Sequence, residues 1–301
     1  MSIIDFKVLQ KEDKPLLDCF FRARYYENSH FNFTNLYMWH EPYKIMWVKE
    51  DDVLYMKAEW EGREFAMQPF GPEEKMTEAV ARFLDYFRAQ GKPPAFSGIE
   101  RSFADVLESY EGADFAVEPD RNNFDYVYLA EDLMKLAGRK FHSKKNHLNS
   151  FRKNYPEAEY QPITDEIVTQ CKLTINGWYK QHAQEVPDDP FIALERQAII
   201  EVLNNFEDFQ LKGGAILIGQ RVVAFTFGEQ LNDDTAVIHV EKADPEVRGA
   251  YPAINQAFVE HAWSDMTYIN REEDMGIEGL RQAKESYKPV KLIEKFNAWM
   301  R

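Results

Sequence analysis

The sequence predicts a mixed α+β fold made of two tandem domains, each a central, largely antiparallel sheet flanked by helices. Three observations predict it. At 301 residues the chain is too long for one ordinary hydrophobic core and fits two domains of about 150 residues each. Hydrophobic content of 45% with 14% aromatics is ample for two cores and argues against disorder. The third is a repeated order of elements in the two halves.

The second half shows that order most clearly. GAILIGQRVVAFTFGEQLNDDTAVIHVEKAD holds three apolar or alternating runs, separated by Gly219-Gln220 and by Asn232-Asp233-Asp234. Such turn residues between such runs predict an antiparallel meander. In GAYPAINQAFVEHAW, Ala253, Ala257, Phe258 and Ala262 form a stripe at helical spacing. TYIN is a short strand, GIEGLRQAKESY a helix, and PVKLIEKFNAWM a closing strand or strand pair. The first half repeats the order. YKIMWVKEDDVLYMKAEWEGREFAMQPFG is a meander, EKMTEAVARFLDYFRAQ a helix, PAFSGI a strand, SFADVLESY a helix and FDYVYLA a strand. The expected domains are residues 1–130 and 156–301, joined by a basic linker helix over 131–155.

Charge narrows the function. A formal net charge of −15 argues against general coating of nucleic acid or anionic membrane. Against that background residues 139–153 carry six Lys or Arg and no acid. Phe141, Leu148, Phe151 and Tyr155 mark an apolar side, leaving Lys144, Lys145 and the other cations facing out. Two readings stand: a solvated linker helix, or a helix that contacts a polyanion. Cys19 and Cys171 match no metal or redox spacing and are expected as buried, reduced thiols. MSIIDFKVLQKEDK lacks the features of a signal peptide, and no run of about 18 apolar residues occurs. A cytoplasmic protein is expected, as a monomer or weak dimer.

Candidate site residues cluster in the second half. His239 and Glu241 share one face of TAVIHVEKA, where either could take a proton from an attacking amine or be a polar residue of a solvated sheet face. Asn270, Glu272 and Asp274 alternate along NREED and should lie on one side of a strand end, with Glu272 a further candidate catalytic residue. Asp274 also suits the cap of the following helix. On that helix Arg281 and Lys284 border the buried face, where a guanidinium fork would grip a phosphate or carboxylate. No third protein ligand completes a metal site beside Asn270 and Glu272, so no metal is expected. GIERSFADVLESY in the first half has neither pattern, which assigns any chemistry to the second.

Three runs, FHSKKNHLNSF (141–151), HVEKADPEVRGAYPAINQAF (239–258) and NREEDMGIEGLRQAKESYKP (270–289), resemble the phosphatidylglycerol lysyltransferase C-terminal domain family. That family has tandem GNAT-like acyltransferase domains and is related to the Fem-type aminoacyltransferases. The resemblance covers the second half and its linker; the first half matches in layout. It implies an acyl or aminoacyl transferase whose donor enters between the strands before and after the helix at 249–263. The donor's phosphates would meet the loop containing Arg248, Gly249 and Tyr251, at that helix's N-terminus. This loop departs from the usual pyrophosphate loop, because Arg248 and Gly249 are adjacent and Tyr251 is bulky. Aminoacyl-tRNA is therefore favoured over a coenzyme A thioester as co-substrate, with no tightly bound cofactor. The acceptor would be a small molecule, peptide or lipid. A coenzyme A-dependent N-acyltransferase and a catalytically silent binder of a small anionic ligand or peptide are the rival readings.

Overall fold

A computed structural model describes residues 4–185 and 190–301. The chain forms two compact units: residues up to Asp125 together with Ile293–Arg301, and Tyr126–Leu292.

The first unit holds β1 (Lys7–Val8), α1 (Lys14–Phe21), α2 (Phe33–Trp39), β2 (Met46–Glu50), β3 (Val53–Trp60), β4 (Arg63–Ala66), α3 (Met76–Gln90), β5 (Ala95–Ile99), α4 (Arg101–Glu108) and β6 (Phe115–Pro119). The meander arises where the turn residues predict it. Glu61 and Gly62 both adopt positive φ (50° and 77°), as a two-residue hairpin turn requires. α3 forms because Val80, Phe83, Leu84 and Phe87 recur at helical spacing and are buried together. It stops at Gly91, which takes the left-handed conformation at φ 65°.

The second unit contains β7 (Asp125–Leu129), α5 (Ala130–Lys135), α6 (His142–Asn154), β8 (Ala158–Pro162), α7 (Asp165–Glu185), α8 (Pro190–Asn204), β9 (Lys212–Ile218), β10 (Arg221–Gln230), β11 (Thr235–Ala243), α9 (Ala250–Ala262), β12 (Tyr268–Asn270), α10 (Glu278–Glu285) and β13 (Lys291–Ile293). Its seven-stranded sheet has the order β13-β7-β12-β11-β10-β9-β8. β11 pairs with β12 in parallel; the pairs of β12 with β7, β11 with β10, β10 with β9 and β9 with β8 are antiparallel. In the first unit's sheet, β14 (Phe296–Met300) lies between β5 and β6, in the order β1-β2-β3-β4-β5-β14-β6.

The tandem mixed fold is as expected, but the division of the chain is not. FDYVYLA was expected to close the first sheet, and as β7 it belongs to the second. The C-terminal run divides, with β13 in the second sheet and β14 in the first. Tyr126, Val127 and Tyr128 are all buried, so β7 is covered on both faces and its side-chain pattern carries no mark of its sheet. The expected linker helix is likewise no linker. Residues 131–155 include α5 and α6, and Phe141, Leu148 and Phe151 belong to the second unit's core beside Ile254 and Phe258. α1, α2, β6 and the segment β8–α7–α8 were not anticipated. Cys171 is buried, which pushes its thiol up to about 12, whereas Cys19 is exposed.

A strand splay bridged by side chains

β11 and β12 pair only over Thr235–Val237 and Tyr268–Asn270. Past that point β11 continues alongside β10 to Ala243, while the chain after β12 follows β7. The Arg271 N–H donates to the Tyr126 carbonyl at 3.0 Å, and the Tyr126 N–H donates to the Glu272 carbonyl at 3.1 Å. The two parallel strands therefore splay, and side chains cross the opening. Glu272 has a left-handed backbone, φ 56°, uncommon for a residue with a Cβ. It breaks the strand alternation, so consecutive residues Arg271 and Glu272 both reach β11, at His239 and Glu241.

The His239 side chain is completely buried between two carboxylates, with Nδ1 2.9 Å from Glu272 and Nε2 3.2 Å from Glu229. Burial pushes its pKa down, but the hydrogen bonds to Glu229 and Glu272 outweigh burial and raise it to about 9. His239 is thus an imidazolium that donates from both nitrogens at neutral pH. The expectation that it acts as a base is not met, because neither nitrogen keeps a lone pair for a proton. It holds Glu272, and with it the backbone that presents Arg271.

Glu241 is differently placed. One oxygen accepts from Arg271 Nη2 at 2.9 Å and the other from Asn255 Nδ2 of α9 at 2.9 Å. Each partner keeps a buried polar atom without a hydrogen bond: Arg271 Nη1 and Asn255 Oδ1. The Asn255 side chain belongs to a residue only 3% exposed, where an unmatched acceptor costs about 1–3 kcal/mol. The Arg271 guanidinium packs on the rings of Tyr128 and Tyr287, 5.5 and 4.7 Å from their centroids. Lys144 of α6 reaches the same Tyr287 ring at 4.3 Å.

The remaining predicted residues divide into bracing groups and surface groups. Arg281 does not face a cleft as expected; its fork is bidentate on Asp274, at 2.8 and 2.9 Å. Asp274 is buried, and burial alone would raise its pKa. Hydrogen bonds from Arg281, Tyr126 and the Gly276 N–H pull it down to about 2. Its carboxylate serves the turn before α10 rather than the helix's first N–H groups, because α10 begins only at Glu278. Lys284 is buried too, its ammonium donating to the Arg271 and Glu272 carbonyls. The Asn270 side chain accepts from the Glu272 N–H at 2.8 Å. The strand ends at Asn270, so the expected single face of Asn270, Glu272 and Asp274 does not exist.

The loop before α9 is built for packing. An added Cβ at Gly249 (φ 90°) would lie 2.7 Å from the His147 carbonyl oxygen and 2.9 Å from the Phe151 Cβ. α6 therefore packs directly against the start of α9, and only glycine fits. The N–H groups of Glu246, Val247 and Ala250 donate within the loop, to the Asp244 side chain, the Asp244 carbonyl and the Val247 carbonyl. Arg248 and Lys145 are exposed, and Tyr251 is half exposed.

Sequence reasoning missed Arg271, Asn255, Tyr128 and Tyr287. Arg271 stands inside the NREED run, hidden by the alternation of its neighbours. Asn255 is an amide in an otherwise apolar helix stripe, the one signal that could have marked it. In the first unit, by contrast, the corresponding parallel pair is a single register, Ala66 with Phe96. The polar groups past it are satisfied internally, the Gln68 side chain accepting from the Glu100 N–H at 3.0 Å and Asn28 donating to the Gly98 carbonyl at 3.0 Å. Among the described residues no group of three or more His, Cys, Asp or Glu is arranged to hold a metal, and no helix is long and apolar enough to cross a membrane.

A mostly antiparallel sheet with one splayed parallel pair and a helix between its strands, present in both units, defines a tandem GNAT-like fold. Residues 22–299 match the family phosphatidylglycerol lysyltransferase, C-terminal, and the chain belongs to it. A conserved protein of unknown function from Bacteroides thetaiotaomicron VPI-5482 is 34% identical, with a TM-score of 0.91 over 99% of this chain and 100% of the other. L-PGS from Bacillus licheniformis shares the fold at a TM-score of 0.64 and 14% identity, over 95% and 91% of the two chains. An uncharacterised protein of Mycoplasmoides gallisepticum is 26% identical over 176 residues, which are 57% of this chain and 54% of that protein. The match therefore spans about half the length of this curated relative.

Proposed function

We propose that the chain transfers an aminoacyl group from aminoacyl-tRNA to an amine or hydroxyl acceptor by direct attack at the second unit's splay. The observation that carries this reading is the Arg271–Glu241–Asn255 constellation with its two unmatched buried atoms. Arg271 Nη1 is a donor suited to a carbonyl oxygen that gains charge as the carbon is attacked. Asn255 Oδ1 is an acceptor suited to an N–H. Glu241 between them accepts the proton of the attacking group as its lone pair adds to the ester carbonyl. Collapse breaks the ester C–O bond, and the proton passes to the departing ribose oxygen. Two features support this choice of donor. Three N–H groups of the loop that would meet a pyrophosphate, those of Glu246, Val247 and Ala250, are used internally, and α6 exposes Lys145, Arg152 and Lys153 on one helix. On this reading the protein works in the cytoplasm, where charged tRNA is found, and its acceptor is a small molecule, peptide or lipid.

The test is transfer of labelled amino acids from a mixed pool of charged tRNA into an acceptor extract. Glu241→Gln is expected to lower transfer by about 10²–10⁴-fold, the usual share of a general base. The melting temperature should also fall, because the buried Arg271 loses its counter-charge, so transfer is compared at a temperature where both proteins are folded. Acylation from coenzyme A thioesters with none from charged tRNA would overturn the reading.

A further inference from the structure

Lys144 has no role in the scheme above, and its setting is unusual for a lysine. Its ammonium is half-buried over the Tyr287 ring at 4.3 Å. Among the described residues it makes no hydrogen bond or ion pair. Burial depresses its pKa first; Arg271 adds to the depression and Glu241 opposes it. Those two are the charged groups that act on it. The Glu241 carboxylate is already matched by Arg271 at 2.9 Å, so the lysine is a surplus positive charge. A surplus cation in a partly desolvated position favours the approach of an anion and opposes that of another cation.

Three polar groups thus converge around Glu241 with unmet capacity: two donors, Lys144 Nζ and Arg271 Nη1, and one acceptor, Asn255 Oδ1. An α-aminoacyl group meets all three if its N–H faces Asn255, its carbonyl faces Arg271 and its side chain ends in a carboxylate beside Lys144. A lysyl group would bring its ammonium against Lys144 and Arg271, with Glu241 already taken. We infer that Lys144 is a specificity-determining residue, and that it selects an acidic aminoacyl group, aspartyl or glutamyl, over a lysyl group. This inference rests on the aminoacyl-transfer reading of the same site.

Titration calorimetry on the full chain tests it with three small probes: L-glutamic acid α-amide, L-alaninamide and L-lysinamide. The native protein should bind the glutamic acid amide at least about tenfold more tightly than lysinamide, the range of one hydrogen bond to a charged group. Lys144→Met should abolish that preference, Lys144→Arg should retain it, and Lys144→Glu should invert it. The melting temperature of each variant confirms folding, which a half-exposed position tolerates. Lysinamide binding as tightly as the glutamic acid amide, a preference that survives Lys144→Met, or no binding of any amide would overturn the inference. The two readings fail separately. Selective amide binding without transfer from any charged tRNA would remove aminoacyl transfer and leave the selectivity. Transfer from lysyl-tRNA as readily as from glutamyl-tRNA would do the reverse.

Discussion

At the scale of single residues, the charged groups after β12 do two kinds of work, and burial separates them. Asp274, Arg281 and Lys284 are satisfied within the fold, whereas Arg271 and Asn255, the two partners of Glu241, retain unmatched atoms. Arg281 therefore belongs to stability, not to ligand binding. Arg281→Ala would take its bidentate cation from the buried Asp274 carboxylate and should lower stability. The Asp274 pKa is about 2, against an ordinary 3.8. Its contribution to stability is thus complete above the ordinary value and is lost as pH falls from there through about 2. Denaturant melts of the native protein and Arg281→Ala should differ most above pH 4 and converge toward pH 2. A constant difference across that range would refute the assignment. The sequence drew attention to the stretch that contains Arg271, but through its neighbours. Alternation along NREED assumes an extended strand, and the left-handed turn at Glu272 re-aims the side chains on either side. No local pattern announces a positive φ at a glutamate.

At the scale of elements, α6 shows what helical spacing can and cannot reveal. Its apolar side was legible, since Phe141, Leu148 and Phe151 are buried as their spacing requires. What it packs against was not, because the partner is α9, a hundred residues on, and the contact depends on Gly249 lacking a side chain. The cations also divide by position. Lys144 turns toward Tyr287, and Arg152 donates to Gln256 at 2.9 Å. Lys145 and Lys153, with Arg139 just before the helix, remain exposed. If this face meets tRNA, replacing Arg139, Lys145 and Lys153 by Ala should flatten the slope of log affinity against log salt by about 2–3 units. Filter binding across a salt series measures it. An unchanged slope would return these cations to an ordinary solvated face.

At the scale of the whole molecule, strand membership links the two ends of the sequence. β14 comes last in the chain but is interior to the first unit's sheet, hydrogen-bonded to β5 on one side and β6 on the other. Just before it, Lys295 is fully buried, its ammonium 2.6 Å from Asp125 and 3.2 Å from the Ser29 hydroxyl. Nothing local in KFNAWM distinguishes this outcome from a strand that finishes the second sheet; the tertiary context chooses. Removing residues 293–301 would therefore strike the first unit. β6 would lose its paired strand and β5 the neighbour on one side, Phe296 and Ala298 would leave the core, and Asp125 would keep its charge in a buried site without Lys295. The last loss alone costs about 3–5 kcal/mol, a large part of an ordinary domain's stability of about 5–15 kcal/mol. Hydrogen exchange read by mass spectrometry should show protection lost from β3, β5 and α3, and retained in β9, β10 and α9. A synthetic peptide spanning 293–301 should restore the lost protection, because its registers with β5 and β6 are already defined. Protection that persists in β5 without the peptide would show that β14 is dispensable and that the first sheet is held by its local meander alone.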